Sequence, residues 1–227
     1  MKLLIIEDDE TLFKAMQQQL EKWGWEVYGI NDFNLVLEEY ETINPEMVII
    51  DIQLLKYDGF YWCRAIRKQS NLPIVFLSSR DHPMDQVMSM ELGADDFIQK
   101  PFHTEVLLAK LQAIYRRVYQ YNKDEPRVKV WNKARIDYGK HIVEKDNIEI
   151  SLTKNEMFIF EILLNHKNEI VNRDTIITAL WDDEQFVSDN TLTVNVNRLR
   201  KKLSEIGLND YIETKVGKGY IAHEPEG

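Results

Sequence analysis

The chain opens on a short apolar run, Leu3 to Ile6, that stops at Glu7-Asp8-Asp9. Thr11 to Trp23 then carries Leu12, Met16, Leu20 and Trp23 at the spacing of one helix face. The alternation repeats. Met47 to Ile50 is a buried-strand run ending at Asp51, Ile74 to Leu77 ends at Ser78, and Phe97-Ile98 leads to Lys100-Pro101. Val27 to Ile30 is a weaker strand, and the periodic stretches between the runs predict helices. Short, nearly continuous apolar strands alternating with helices predict an α/β fold, a doubly wound (βα)5 parallel sheet with helices on both faces. In such sheets a ligand sits beyond the carboxyl ends of the strands. Glu7-Asp8-Asp9, Asp51, Ser78 and Lys100 all fall there.

The pattern changes near residue 120. Residues 118–126 (VYQYNKDEP) are polar, without a period, and end at a proline, which predicts a linker. We place domain boundaries at 1–118 and 127–225, with the linker at 119–126. The second half opens with four β-rich segments, 128–131, 134–138, 141–144 and 148–152. Thr153-Lys154-Asn155-Glu156 fits a capping box leading into MFIFEILL. Helices are predicted again at 173–181 and 188–206. Ile212 to Ala222 reads as a hairpin turning at Gly217-Lys218-Gly219.

Composition is that of a folded chain: 227 residues, 44% apolar and 29% charged, which excludes global disorder. No apolar run approaches the roughly 18 residues of a membrane span, and MKLLIIEDDE is neither a signal nor a transit peptide. One cysteine, Cys63, excludes an internal disulfide framework and a multi-cysteine zinc site. A cytoplasmic protein is the simplest reading. The net charge of −10 argues against nucleic-acid binding until the chain is divided. Residues 185–220 hold 6 basic and 4 acidic residues, four of the basic ones within five positions, so a local basic patch is hidden in an acidic total.

Carboxylates gathered at strand ends need a counter-charge to stay ionised together. A hard cation such as Mg2+ supplies it through oxygen ligands. A carboxylate beside it can attack a phosphoryl donor, and the transferred group needs the metal, a lysine and a hydroxyl as partners. Asp51, Lys100 and Ser78 supply those residue types. A dedicated phosphatase of the haloacid dehalogenase kind needs a second Asp two positions after the nucleophile; Gln53 stands there, so the chain is read as no dedicated enzyme.

The segments IIEDDE, VIIDIQLLKYDG, FLSSRD, GADDFIQKPF, NTLTVNVNRLRKKL and KVGKGY resemble a two-component response regulator of the OmpR/PhoB class, and in detail the Bce-type regulators of Gram-positive bacteria. The resemblance implies a receiver domain followed by a winged helix-turn-helix domain. It implies Asp51 as phosphoacceptor, Glu7 and Asp8 as the acidic pair with Asp8 the direct Mg2+ ligand, and the Gln53 carbonyl as a further ligand. Ser78 would be the switch hydroxyl, Phe97 the aromatic switch residue and Lys100 the phosphate-pairing lysine, with Lys100-Pro101 cis. Asp9 is left open between a part in the acidic cluster and a purely solvent-facing place. On phosphorylation the surface around residues 84–117 would form a symmetric homodimer, Asp95 and Asp96 facing Lys110 and Arg117 of the second subunit. Gln86 and Val106 stand where the family commonly carries a charged pair, and the helix of Gln86 also holds Met84, Met88 and Met90. That interface is expected to be more apolar and less salt-sensitive than usual.

In TLTVNVNRLRKKL, Leu192, Val196, Leu199 and Leu203 form one stripe, leaving polar residues for other faces. Asn and Arg can reach base edges in a major groove; Lys201 and Lys202 suit phosphates. The resemblance assigns DNA contacts to Asn190, Thr191, Thr193, Asn195, Asn197, Arg198, Arg200 and Lys201, and in the wing to Lys215, Lys218 and Tyr220. Val216 stands where the family often has a minor-groove arginine. Asp182-Asp183-Glu184 lies where the family meets RNA polymerase. The implied partners are a membrane sensor histidine kinase, double-stranded promoter DNA and RNA polymerase. The Bce-type likeness implies envelope and cationic antimicrobial peptide resistance genes as targets. A regulator whose receiver is a phosphate-independent interaction platform is the alternative.

Overall fold

Leu3, Leu4, Ile5 and Ile6 are fully buried because β1 (Lys2–Ile6) runs inside a sheet covered on both faces. In this computed structural model, residues 1–79, 83–116, 118, 128–181 and 189–224 are described. They divide into two units, Met1–Gln112 and Ala113–Gly227. The expected linker at 119–126 lies outside the described residues.

In the first unit β1 pairs in parallel with β2 (Glu26–Gly29) on one side and β3 (Met47–Asp51) on the other. Beyond β3 follow β4 (Ile74–Ser78) and β5 (Asp96–Gln99), giving the order β2-β1-β3-β4-β5. All five residues of β3 and of β4 are buried. Helices α1 (Glu10–Lys22), α2 (Val36–Ile43), α3 (Gly59–Arg67), α4 (Pro83–Glu91) and α5 (Thr104–Tyr115) connect and cover the strands. The strand order reverses between β1 and β3, which is where such sheets open a crevice at their carboxyl edge. Asp9 is more than solvent-facing: its carboxylate caps α1, accepting the N–H of Thr11 at 2.8 Å and of Leu12 at 3.1 Å.

The second unit begins with an antiparallel sheet, β6 (Val128–Trp131), β7 (Ala134–Asp137), β8 (Ile142–Lys145) and β9 (Ile148–Ser151). The capping box forms as expected. Thr153 Oγ1 accepts the Glu156 N–H at 3.3 Å, and Glu156 Oε2 accepts the Thr153 N–H at 2.8 Å, opening α6 (Lys154–Asn165). β10 (Val171–Asn172), α7 (Arg173–Trp181), α8 (Asp189–Glu205), β11 (Ile212–Lys215) and β12 (Gly219–Ala222) complete it. Leu192, Val196, Leu199 and Leu203 of α8 are buried in a core with Trp131, Ile159 and Phe160. β10 goes unseen in the sequence because two residues carry no period. It pairs with β12 to make a third strand in the order β10-β12-β11. That approach explains Gly219, where a Cβ would lie 2.0 Å from the Val171 carbonyl oxygen.

Candidate functional site

At the carboxyl edge of the first sheet, ligand atoms of Glu7, Asp8 and Asp51 lie within 4.8 Å of one another. Lys100 reaches between two of them: its Nζ donates to Glu7 Oε2 at 2.7 Å and to Asp51 Oδ2 at 2.9 Å. The Gln53 N–H donates to Asp51 Oδ1 at 3.2 Å. Glu7 and Asp51 are buried, and Asp8 is half-buried. Lys100 is aimed here by its backbone, whose N–H donates to the Ser78 carbonyl at 2.7 Å, and the Lys100-Pro101 peptide is cis. Ser78 is fully buried at the end of β4, and Phe97 is half-buried opposite Phe76.

Among the described residues three carboxylates meet one ammonium, and the electrostatics record the imbalance. Burial pushes the Glu7 carboxyl above its ordinary value, and the Asp51 charge adds to that; the Lys100 contacts offset only part. Burial alone would lower Lys100, but its bonds to Glu7 and Asp51 outweigh it and hold the ammonium above its ordinary value. The donor set is all oxygen, compact and short of positive charge, which fits Mg2+. Gly59 was not singled out in the sequence, yet it shapes the site. A Cβ there would meet the Asp51 carbonyl oxygen at 2.3 Å, so only glycine lets the start of α3 close on the end of β3. Its signal is the Asp-Gly pair, Asp58 capping α3 by accepting the Tyr61 N–H at 2.8 Å.

The second unit offers an outer face on α8 and the β11–β12 hairpin. Asn197, Lys201 and Lys218 are exposed, and Val216 at the hairpin turn is 93% exposed. Thr193 and Arg200 are half-buried on the same side of the helix. Arg200 donates to the Ile212 carbonyl at 2.8 Å and to Thr214 Oγ1 at 2.9 Å, tying α8 to β11. Arg173, absent from the sequence expectations, donates to the Tyr220 hydroxyl at 2.7 Å and to Thr193 Oγ1 at 2.8 Å. Both guanidinium groups stand over the Tyr220 ring, at 5.3 and 5.7 Å from its centroid.

Residues 3–112 match the family described as response regulator receiver domain, and residues 147–222 match transcriptional regulatory protein, C terminal. The response regulator protein GraR of Staphylococcus epidermidis is 64% identical over 224 residues, 99% of this chain and 100% of the relative. GraR of Staphylococcus aureus strain MRSA252 is 65% identical over the same share. The chain belongs to the two-component response regulators of the OmpR/PhoB type. A solved RitR mutant structure shares the fold at a TM-score of 0.78 and 22% identity over 99% of both chains. The response regulator therefore pairs a receiver domain with a winged-helix DNA-binding domain, and among its described residues no helix is long and apolar enough to cross a membrane.

Several assigned residues sit differently from expectation. Asp95 is not at a surface. It is 1% exposed, and its Oδ2 accepts from Arg67 at 3.1 Å and from the Ile74 N–H at 2.9 Å, so it joins α3 to β4 within one receiver. Asp96 pairs with Lys110 of its own chain at 2.8 Å. Arg117 and Asp182-Asp183-Glu184 lie outside the described residues, as does the side chain of Asn190. Thr191, Asn195 and Tyr220 are buried, and Asn195 donates to the Thr191 carbonyl at 2.9 Å. Lys215 is held by Glu213 at 2.6 Å.

Arg198 and Lys202 turn inward to the buried Glu156, at 2.9 and 2.7 Å. Burial alone would raise Glu156, but the Arg198 and Lys202 charges, the Lys202 hydrogen bond and the Thr153 N–H outweigh it and hold it below its ordinary value. The capping-box spacing identifies Glu156 as a cap but carries no sign of this second role, because its partners lie more than 40 positions away.

Proposed function

We propose that this response regulator takes a phosphoryl group on Asp51, dimerises through its receiver and then binds promoter DNA. The observation that carries the reading is the Lys100 ammonium seated between Glu7 and Asp51 with Asp8 alongside. Asp51 Oδ forms the bond to phosphorus while the phosphorus–nitrogen bond of a kinase phosphohistidine breaks and the imidazole keeps the electron pair. Glu7, Asp8, Asp51 and the Gln53 carbonyl would hold Mg2+, which when bound neutralises the carboxylates and the phosphoryl oxygens. Lys100 exchanges a carboxylate partner for a phosphoryl oxygen, and the Ser78 hydroxyl turns to another. Phe97 follows into the space Ser78 leaves, repacking α4, β5 and α5.

Two receivers joined by that face bring two DNA-binding domains together, which raises avidity by about 10²–10⁴ over one half-site. Asn197, Thr193 and Arg200 read or flank bases, and Lys201 and Lys218 meet phosphates. The partners are a membrane sensor histidine kinase, promoter DNA and RNA polymerase, and the place is the cytoplasm. From the likeness to GraR we assign envelope genes of cationic antimicrobial peptide resistance as targets. The test incubates the full chain with acetyl phosphate and Mg2+, read by intact mass and light scattering. Wild type gains one phosphoryl mass and dimerises, and Asp51→Ala does neither. Dimers and promoter binding without any adduct, unchanged in Asp51→Ala after incubation with the kinase, would replace this reading with the phosphate-independent platform.

A further inference from the structure

The seven methionines divide sharply by exposure. Met16, Met47, Met90 and Met157 are each 2% exposed or less, and Met1 is half-buried. Met84 and Met88 of α4 are 61% and 44% exposed. They stand four residues apart, so both thioethers lie on one face, one turn apart. The single thiol does not compete for an oxidant, because Cys63 is fully buried.

We propose that Met84 and Met88 form an oxidation site that controls the receiver's self-association. A thioether sulfur attacks one oxygen of hydrogen peroxide, the O–O bond breaks, the sulfur–oxygen bond forms and water leaves. Sulfur is oxidised by two electrons and the peroxide is reduced. The product is polar and chiral where the thioether is apolar and flexible. α4 belongs to the face we propose joins two receivers, so this inference rests on that reading. In an isologous contact each sulfoxide counts twice, once per subunit. The reaction is reversed by methionine sulfoxide reductases, so the pair acts as a reversible brake on a phosphorylated regulator rather than as damage.

The experiment treats full-length protein with hydrogen peroxide, follows each methionine by peptide mass, and measures acetyl phosphate-driven dimerisation by light scattering. Met84→Leu/Met88→Leu is run beside it, since leucine keeps the face apolar at similar volume and cannot be oxidised. Wild type gains one oxygen at Met84 and one at Met88 before any at Met16, Met47, Met90 or Met157, and dimerisation is then lost. The leucine variant, scored against its own dimerisation before peroxide, loses none through the same treatment, and reductase restores the dimers in wild type. Oxygen spread evenly over all the methionines, or dimerisation unchanged once both carry oxygen, overturns the proposal. If unoxidised wild type never dimerises on phosphorylation, the dimer reading and the brake fall together, whereas intact dimers after oxidation overturn the brake alone.

Discussion

Each half of the molecule buries a cluster of charges, and the two clusters have opposite stoichiometry. In the receiver, Glu7, Asp8 and Asp51 gather together and, among the described residues, meet one ammonium, that of Lys100, which pairs with Glu7 and Asp51. In the DNA-binding domain one carboxylate, Glu156, takes both Arg198 and Lys202 and a backbone N–H besides. Burial works against both glutamates. It wins at Glu7, which is pushed up, and loses at Glu156, which is held down. The cluster left short of positive charge is the one we propose takes a metal and a phosphoryl group. The satisfied cluster fastens a helix.

The largest effect that would break this comparison is on stability. Glu156→Ala leaves two cations without their carboxylate and removes half of the capping box. We expect a loss of about 3–5 kcal/mol in urea unfolding of the DNA-binding domain's transition. Asp51→Asn, which relieves the receiver's excess, should go the other way without metal, a gain on the order of 0.5–1 kcal/mol. A loss of similar size at both sites would mean the two clusters do the same job.

Acid sharpens the contrast further. His141 is held down to about 4 from 6.5, by burial first and by the Lys154 charge second, with Asp137 acting against them. The unfolded chain therefore binds a proton that the folded one refuses. Stability present above pH 6.5 falls away as pH drops toward 4, by up to about 3 kcal/mol. The Glu156 contribution, present above its ordinary value, is lost as pH falls through its depressed one. His141→Asn, which tolerates the positive φ at that position, should flatten unfolding profiles between pH 6.5 and 4.

On α8 the same division of labour separates neighbours. Asn197→Ala should cost about 1–3 kcal/mol of discrimination between operator bases and leave the unfolding midpoint unmoved. Arg198→Ala, cutting a bond to Glu156, should lower the midpoint instead. Lys201→Ala should weaken every sequence alike and flatten the salt dependence of binding by about 0.9 in log–log slope. Asp9→Ala, where the α1 cap is lost, should cost about 1 kcal/mol without weakening Mg2+ binding.

The receiver was the more legible half because its chemistry sits at strand ends. Apolar runs stopping at Glu7, Asp51 and Ser78 declare both the strand and the polar residue that stands at its carboxyl end. A parallel sheet then brings those ends together without further information. The winged helix was legible in its stripe of Leu192, Val196, Leu199 and Leu203, which predicts the buried face of α8. The polar faces were not, since Arg198 and Arg200 differ by two positions and look alike in the sequence. One turns to Glu156 and the other to the wing, through partners 42 and 12 residues away. Charge type predicts that a residue needs a partner, but tertiary packing decides which. Asp95 and Asp96 show the same limit: both are acidic and adjacent, and the structure gives them Arg67 and Lys110 of their own chain.

The most direct measurement is calorimetric unfolding of the full chain with and without Mg2+, in wild type and Asp51→Asn. The account predicts that Mg2+ raises the receiver transition in wild type, leaves the DNA-binding transition where it was, and shifts the receiver much less in Asp51→Asn. A receiver transition indifferent to Mg2+, or one that moves equally in both proteins, would contradict the proposal that Glu7, Asp8 and Asp51 hold a divalent cation.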